Sequence, residues 1–168
     1  MLYFTGQGNA IDIGKTFLRY FVEYADLKPT DTMLDVGCGV GRMAIPLTSF
    51  LKTGTYYGFD IFEDGIKWCQ NNISTECSNF YFKFVDVYNR NYNPNGEIDV
   101  SKFKFPYVDN TFDFVCANSV FTHLIPEDMN HYLSEIHRVL KKNGTFFSTF
   151  FIMNEESENL IKNKKSSF

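Results

Sequence analysis

Residues 33–42, Met-Leu-Asp-Val-Gly-Cys-Gly-Val-Gly-Arg, restrict what this chain can fold into more than any other stretch. Met33, Leu34 and Val36 read as a short buried strand, and Gly37, Gly39 and Gly41 follow at alternate positions. Glycine takes positive φ without a Cβ penalty and lets the backbone come close to a ligand. A strand running into such a turn and then into a helix suits a nucleotide-like ligand held over backbone N–H groups. A dinucleotide-binding loop would carry G-x-G-x-x-G, with its third glycine at position 42. That position is Arg42.

The flanking chain alternates helical and strand patterns. Gly6, Gly8 and Gly14 among polar residues predict a loop over 5–14. A helix then runs from about Gly14 to Leu27, with Phe17, Leu18, Phe21, Val22 and Ala25 on one face. Past the glycine turn, Pro46 lacks an N–H and belongs in a first turn. A helix should therefore begin near Gly41–Met43, aim its free N–H groups at the glycine loop, and continue to Lys52. Thr55–Asp60 reads as a second strand ending in an acid, where a carboxylate can accept two ribose O–H bonds. A helix from Glu63 to about Glu76 buries Ile66, Cys69 and Ile73, and alternation from Phe80 to Val87 predicts a third strand closed by Asp86. Residues 88–102 are polar and asparagine-rich, longer than most structureless connections. Leaving the carboxyl end of strand three, they form a candidate substrate-side flap.

Phe112–Asn118 is the expected fourth strand. Pro126 with Glu127 and Asp128 opens a long helix, whose apolar stripe is Met129, Tyr132, Leu133, Ile136, Val139 and Leu140. Lys141–Gly144 reads as its end, with Gly144 or Asn143 as a left-handed cap. Thr145–Met153 is the expected fifth strand. His131 and His137 lie off the stripe and read as a solvated face.

On Asp35 with Gly37, Gly39 and Gly41, the chain resembles motif I of the class I S-adenosyl-L-methionine (SAM)-dependent methyltransferases, an acidic residue followed by G-x-G-x-G. The stretches Phe103–Asp113, Ser119–Leu124 and His137–Phe146 are similar to that family's approach to strand four, its post-strand loop and its approach to strand five. The resemblance implies that the glycines approach the methionine and ribose parts of SAM, and that Asp35 meets its amino group directly or through water. It implies that Asp60 holds the ribose hydroxyls, that Asp86 and Val87 read the adenine, and that the Asn118 backbone carbonyl contacts the methionine part. Cys38, Arg42 and Ile61 join this cofactor set by position. His123, in the loop after strand four, is the candidate acid–base residue. No N/D-P-P-Y sequence is present, which disfavours adenine or glutamine amino groups as acceptors.

The expected fold is α/β, a three-layer doubly wound Rossmann-like sheet of order 3-2-1-4-5, with strands six and seven of the family absent and the chain read as truncated before them. Residues 1–168 are read as one domain, comprising an N-terminal loop and helix (1–30), the core (31–153) and a tail (154–168). The expected function is methyl transfer from SAM to an O or N atom of a small-molecule acceptor, with S-adenosyl-L-homocysteine (SAH) as product. An NAD(P)-dependent oxidoreductase and a non-catalytic SAM-binding domain are the alternatives. A hydrophobic fraction of 44% fits a folded globule, and a net charge of −4 provides no basic field for nucleic acid. No membrane span or signal peptide is visible, so the expected setting is cytoplasmic with no membrane partner. Cys38, Cys69, Cys77 and Cys116 show no metal-ligand spacing and read as reduced thiols. Phe146, Phe147, Phe150 and Phe151 on strand five predict self-association through a bare edge.

Overall fold

A computed structural model of the chain describes residues 9–150, 153–163 and 165. Five parallel strands lie in the order β3-β2-β1-β4-β5: β1 (Thr32–Val36), β2 (Thr55–Asp60), β3 (Phe80–Phe84), β4 (Phe112–Ala117) and β5 (Leu140–Ser148). Between them run α2 (Ala44–Phe50), α3 (Glu63–Cys69) and α4 (Pro126–Val139), with α1 (Ala10–Ala25) before β1 and α5 (Glu155–Lys162) after β5. This is the doubly wound order expected from the alternating pattern.

Strand alternation divides the apolar residues between two faces. On one face Met33, Tyr56, Phe80 and Phe114 pack with Phe21 of α1, Leu47 of α2 and Ile66 of α3. On the other, Leu34, Val36, Phe59 and Val115 meet Tyr132, Ile136 and Val139 of α4, together with Phe103 and Phe105. The result is three layers with both sheet faces covered, as parallel sheets require.

Several boundaries differ from the expected ones, each for a local reason. α1 starts at Ala10, inside the stretch read as a loop, because the Asn9 side chain accepts the Ile11 N–H at 3.0 Å and caps it. Gly14 is therefore helical, and a Cβ there would collide with the Arg42 carbonyl oxygen, so its bareness lets α1 close on the glycine turn. Residues 5–8 of that expected loop lie outside the described residues. Pro46 does fall in the first turn of α2, which begins at Ala44. α3 widens into a π-helical segment, Gln70–Ser74.

The end of α4 is a clear correction. Neither Gly144 nor Asn143 caps it: Leu140 leaves the helix in an extended conformation and starts β5. Asn143 does adopt the left-handed conformation (φ 68°), but within an irregularity of the β4–β5 pairing, where Phe112 faces Leu140 and Phe114 faces Thr145. Residues 154–168, read as a tail, include α5, started by a capping box between Asn154 and Ser157. β5 is an edge strand of the sheet, as expected, and Phe150 is half-exposed. Phe146 and Phe147 pack into opposite cores, Phe150 stacks on Phe121 at 5.1 Å, and Phe151 lies outside the described residues.

Candidate functional site

The carboxyl ends of β1, β2 and β4 open onto a cavity of about 610 Å³, within the range of small-molecule sites. The structure brings Asp35, Gly37, Cys38, Gly39 and Arg42 to it from β1 and its turn, and Asp60 and Ile61 from the end of β2. Val87 reaches it from beyond β3, and Asn118 and His123 from beyond β4. Gly41 and Asp86 are not among the lining residues.

Within the turn, Gly37, Gly39 and Gly41 have φ of 74°, 56° and 74°, a region costly for any residue with a Cβ. Their surroundings separate their roles. A Cβ on Gly41 would stand 2.9 Å from both Cys69 Sγ and Ile73 Cδ1, so this glycine packs the turn against α3 and the segment that follows it. A Cβ on Gly37 would strike Val120 Cγ2 at 2.6 Å. Around Gly39 a Cβ would meet nothing within 4 Å, so its open side lies in the cavity.

The amides of this turn face inward. Gly37 and Cys38 both donate to the Phe59 carbonyl (2.9 and 3.1 Å), and Gly41 donates to Cys38 O at 3.0 Å. Gly39 donates to Asp60 Oδ2 at 2.6 Å, while Asp60 Oδ1 accepts the Phe62 N–H at 2.8 Å. One carboxylate thus ties the β1 turn to the start of α3. Burial raises the Asp60 pKa, and the backbone hydrogen bonds it accepts oppose that rise.

Asp35 is 1% exposed. Its Oδ2 accepts the Tyr56 O–H at 2.8 Å, and Cys116 Sγ lies 3.4 Å from Oδ1. Burial pushes its pKa up to about 6 despite these hydrogen bonds and the nearby Arg42. The thiols of Cys38 and Cys116 are raised well above their ordinary value by burial, and Cys69 to about 12, so none is an activated nucleophile. All four cysteines are free. Asn118 is 8% exposed, and neither Nδ2 nor Oδ1 has a hydrogen-bond partner. A buried amide left unsatisfied costs free energy that a ligand in the cavity can recover. The next residue, Ser119, takes a left-handed φ of 60° and donates its N–H to Thr149 Oγ1 at 2.9 Å.

The 88–102 segment is more ordered than a flap without structure. Tyr88 N–H donates to Ile98 O at 2.8 Å, and Asn89 and Asn93 exchange both backbone bonds at 3.0 Å. The Asp86 carboxylate serves this loop, accepting from Asn93 Nδ2 at 3.0 Å and Glu97 N at 3.3 Å. Asn89 Oδ1 accepts the Asn91 and Tyr92 N–H groups, an Asx turn that places Tyr92. The Tyr92 ring then meets His123 edge to face, centroids 5.2 Å apart. Neither Tyr92 nor Asn89 was indicated by any sequence motif, since aromatic and amide residues in a polar loop carry no periodicity.

Charge is distributed unevenly around the cavity. Among the described residues, the charged side chains lining it, Asp35, Arg42 and Asp60, come from the β1 and β2 side. The wall from residues 87–132 includes Tyr88, Tyr92, Val120 and Leu124 and carries no Asp, Glu, Lys or Arg. His131, expected on a solvated face, is half-buried with Nε2 at 2.8 Å from Phe103 O; His137 is exposed. Among the described residues no group of three His, Cys, Asp or Glu could hold a metal ion, and no helix is long and apolar enough to cross a membrane.

Residues 34–148 match the family described as methyltransferase domain. Among curated relatives, the sterol 24-C-methyltransferase of Saccharomyces cerevisiae is 27% identical over 99% of this chain and 39% of its own length. The fatty-acid O-methyltransferase of Mycolicibacterium smegmatis is 33% identical over 70% of this chain and 36% of its own. The chain thus spans well under half the length of these relatives. Among solved structures, a SAM-dependent methyltransferase from Aquifex aeolicus superposes with a TM-score of 0.56 at 24% identity, covering 76% of this chain and 58% of that one.

Proposed function

This chain belongs to the methyltransferase-domain family, and from that premise we propose that its cofactor is S-adenosyl-L-methionine and that it transfers the SAM methyl group to an O or N atom of a small molecule with an apolar body. The observation that carries the reading is the single cavity in which the glycine turn, Asp35 and Asp60 face an uncharged wall from the β3 and β4 loops.

The residues present fit SAM. Gly39 leaves room for backbone-distance contact, Asp35 offers a buried carboxylate to an ammonium group, and the unsatisfied Asn118 amide offers a donor and an acceptor beside them. Asp60 can accept ribose hydroxyls through its remaining lone pairs, and Val87, on the cavity wall beyond β3, would be available to the adenine. Gly41 and Asp86 serve instead to pack the turn and hold the loop. The inward-facing amides of residues 37–39 and 41 disfavour a dinucleotide, whose pyrophosphate would need free N–H groups.

When bound, SAM supplies an electrophilic sulfonium methyl. The protein's part is to hold the acceptor atom in line with that methyl and to exclude water. Tyr92, Leu124 and Val120 enclose the acceptor's apolar body, and His123 accepts the proton an O–H or N–H acceptor gives up. A carbon acceptor is a second reading, favoured by the sterol 24-C-methyltransferase relative that matches 99% of this chain.

The test is transfer of labelled methyl from SAM to a panel of fatty acids, fatty alcohols, sterols and amines, using the full-length gene product. Label in an apolar acceptor is the expected result. SAH binding with no transfer to any of them would favour a non-catalytic SAM-binding domain.

A further inference from the structure

We propose that Tyr56 is a positioning residue for the ammonium group of the donor: its phenol O–H, donated to Asp35 Oδ2 at the edge of the cavity, orients that carboxylate and stabilises its anionic form. The inference rests on the SAM reading above and adds to it the group that keeps Asp35 competent.

Tyr56 lies on β2 beside β1 and is wholly buried. Its ring stacks on Phe80 at 5.0 Å and tilts against Phe82 at 5.3 Å. The ring therefore has a packing role of its own, which phenylalanine would fill equally well. The hydroxyl is the feature that packing does not require. A buried phenol must find an acceptor, and this one takes the Asp35 carboxylate, which also lines the cavity.

The groups around Asp35 can be named from every side. Tyr56 and, at the strand end, Asp60 approach from β2; Cys116 approaches from β4; Arg42 acts from the turn. Burial and Asp60 favour the protonated acid, whereas the Tyr56 and Cys116 hydrogen bonds and Arg42 favour the anion. A protonated Asp35 can offer an ammonium group only a neutral oxygen. Capture of the donor is therefore coupled to loss of the Asp35 proton, and Tyr56 sets the pH at which that occurs.

Calorimetric titration of SAH into the wild type, Tyr56→Phe and Cys116→Ala between pH 5 and 8.5 tests this. Wild-type affinity should fall as acid is added through pH of about 6. Losing one hydrogen bond to the charged form moves that midpoint upward by about one pH unit in Tyr56→Phe, so the loss of SAH affinity is about fivefold larger at pH 6 than at pH 8.5, where only the orienting contribution is lost. Cys116→Ala should shift the midpoint in the same direction by less, and it provides the test should Tyr56→Phe not fold. Asp60 also titrates upward, but neither variant touches it, so a variant-specific shift reports Asp35. An unmoved midpoint, or affinity lost equally at all pH values, would overturn the role of Tyr56. A wild type that bound no SAH at any pH would overturn the SAM reading instead.

Discussion

Alanine at Gly39 and at Gly41 should have opposite consequences, although the two residues look equivalent in the sequence. Both have left-handed φ, which costs an alanine about 1–2 kcal/mol. At Gly39 the cost stops there, because the added Cβ meets nothing within 4 Å. At Gly41 the same Cβ lies 2.9 Å from Cys69 Sγ and from Ile73 Cδ1, adding overpacking of about 1–3 kcal/mol for a total of about 2–5 kcal/mol. That is a large share of the roughly 5–15 kcal/mol that holds a domain together. Binding should invert the order. The Gly39 methyl enters the cavity where the donor needs backbone contact, so SAH affinity drops at least about tenfold, or about 1.4 kcal/mol. For Gly41→Ala the folded fraction should bind within about threefold of wild type, since that residue does not line the cavity. Urea unfolding without ligand and SAH calorimetry at 25 °C measure the two effects. A Gly39→Ala variant that binds SAH like the wild type, or that loses more stability than Gly41→Ala, would refute this division of roles.

Asp35→Asn should stabilise the ligand-free protein while abolishing SAH binding. The folded pKa of about 6 exceeds the ordinary 3.8, so the ionised group destabilises the fold above pH 6 by up to about 3 kcal/mol and not below pH 4. Thermal unfolding should therefore favour the variant at pH 7 and show no gap at pH 4; a variant less stable at pH 7 would contradict this. Arg138→Ala should cost about 3–5 kcal/mol in urea unfolding. Its guanidinium bonds Glu135 twice (2.8 and 2.6 Å), Asp109, and the Phe105 and Tyr107 carbonyls, fastening the segment before β4 to α4. Because Arg138 holds Glu135 below the usual carboxylate range, this contribution is present at neutral pH and is lost as pH falls through the lowered value. His123→Ala should leave SAH affinity unchanged and reduce turnover on an identified acceptor about 10²-fold or more; full turnover would remove it as the base.

The sheet order and the placing of Asp35, Asp60 and Asn118 at strand ends were legible because each rests on a short local pattern. Strand, glycine turn and proline-marked helix agree within residues 33–46, and such agreement leaves little for tertiary context to change. The start of α1 was hidden because Gly14 reads as a loop residue until the Arg42 carbonyl beside it is known. Nor does any periodicity show that Gly41 packs while Gly39 faces the cavity, since that depends on Cys69 and Ile73 arriving from a later helix. Asp86 follows β3 as expected, but it does not line the cavity, and its carboxylate accepts from Asn93 and Glu97 of the loop it precedes. The acceptor wall was least legible. Tyr92 reaches His123 only through an Asx turn at Asn89, and the two rings lie 31 residues apart in the chain.

Calorimetry of the full-length protein with SAH and, separately, with NAD tests the central claim most directly. Saturable one-to-one heat with SAH and none with NAD is the expected result. No heat with SAH, or tighter binding of NAD, would contradict the assignment of the cavity to a sulfonium methyl donor.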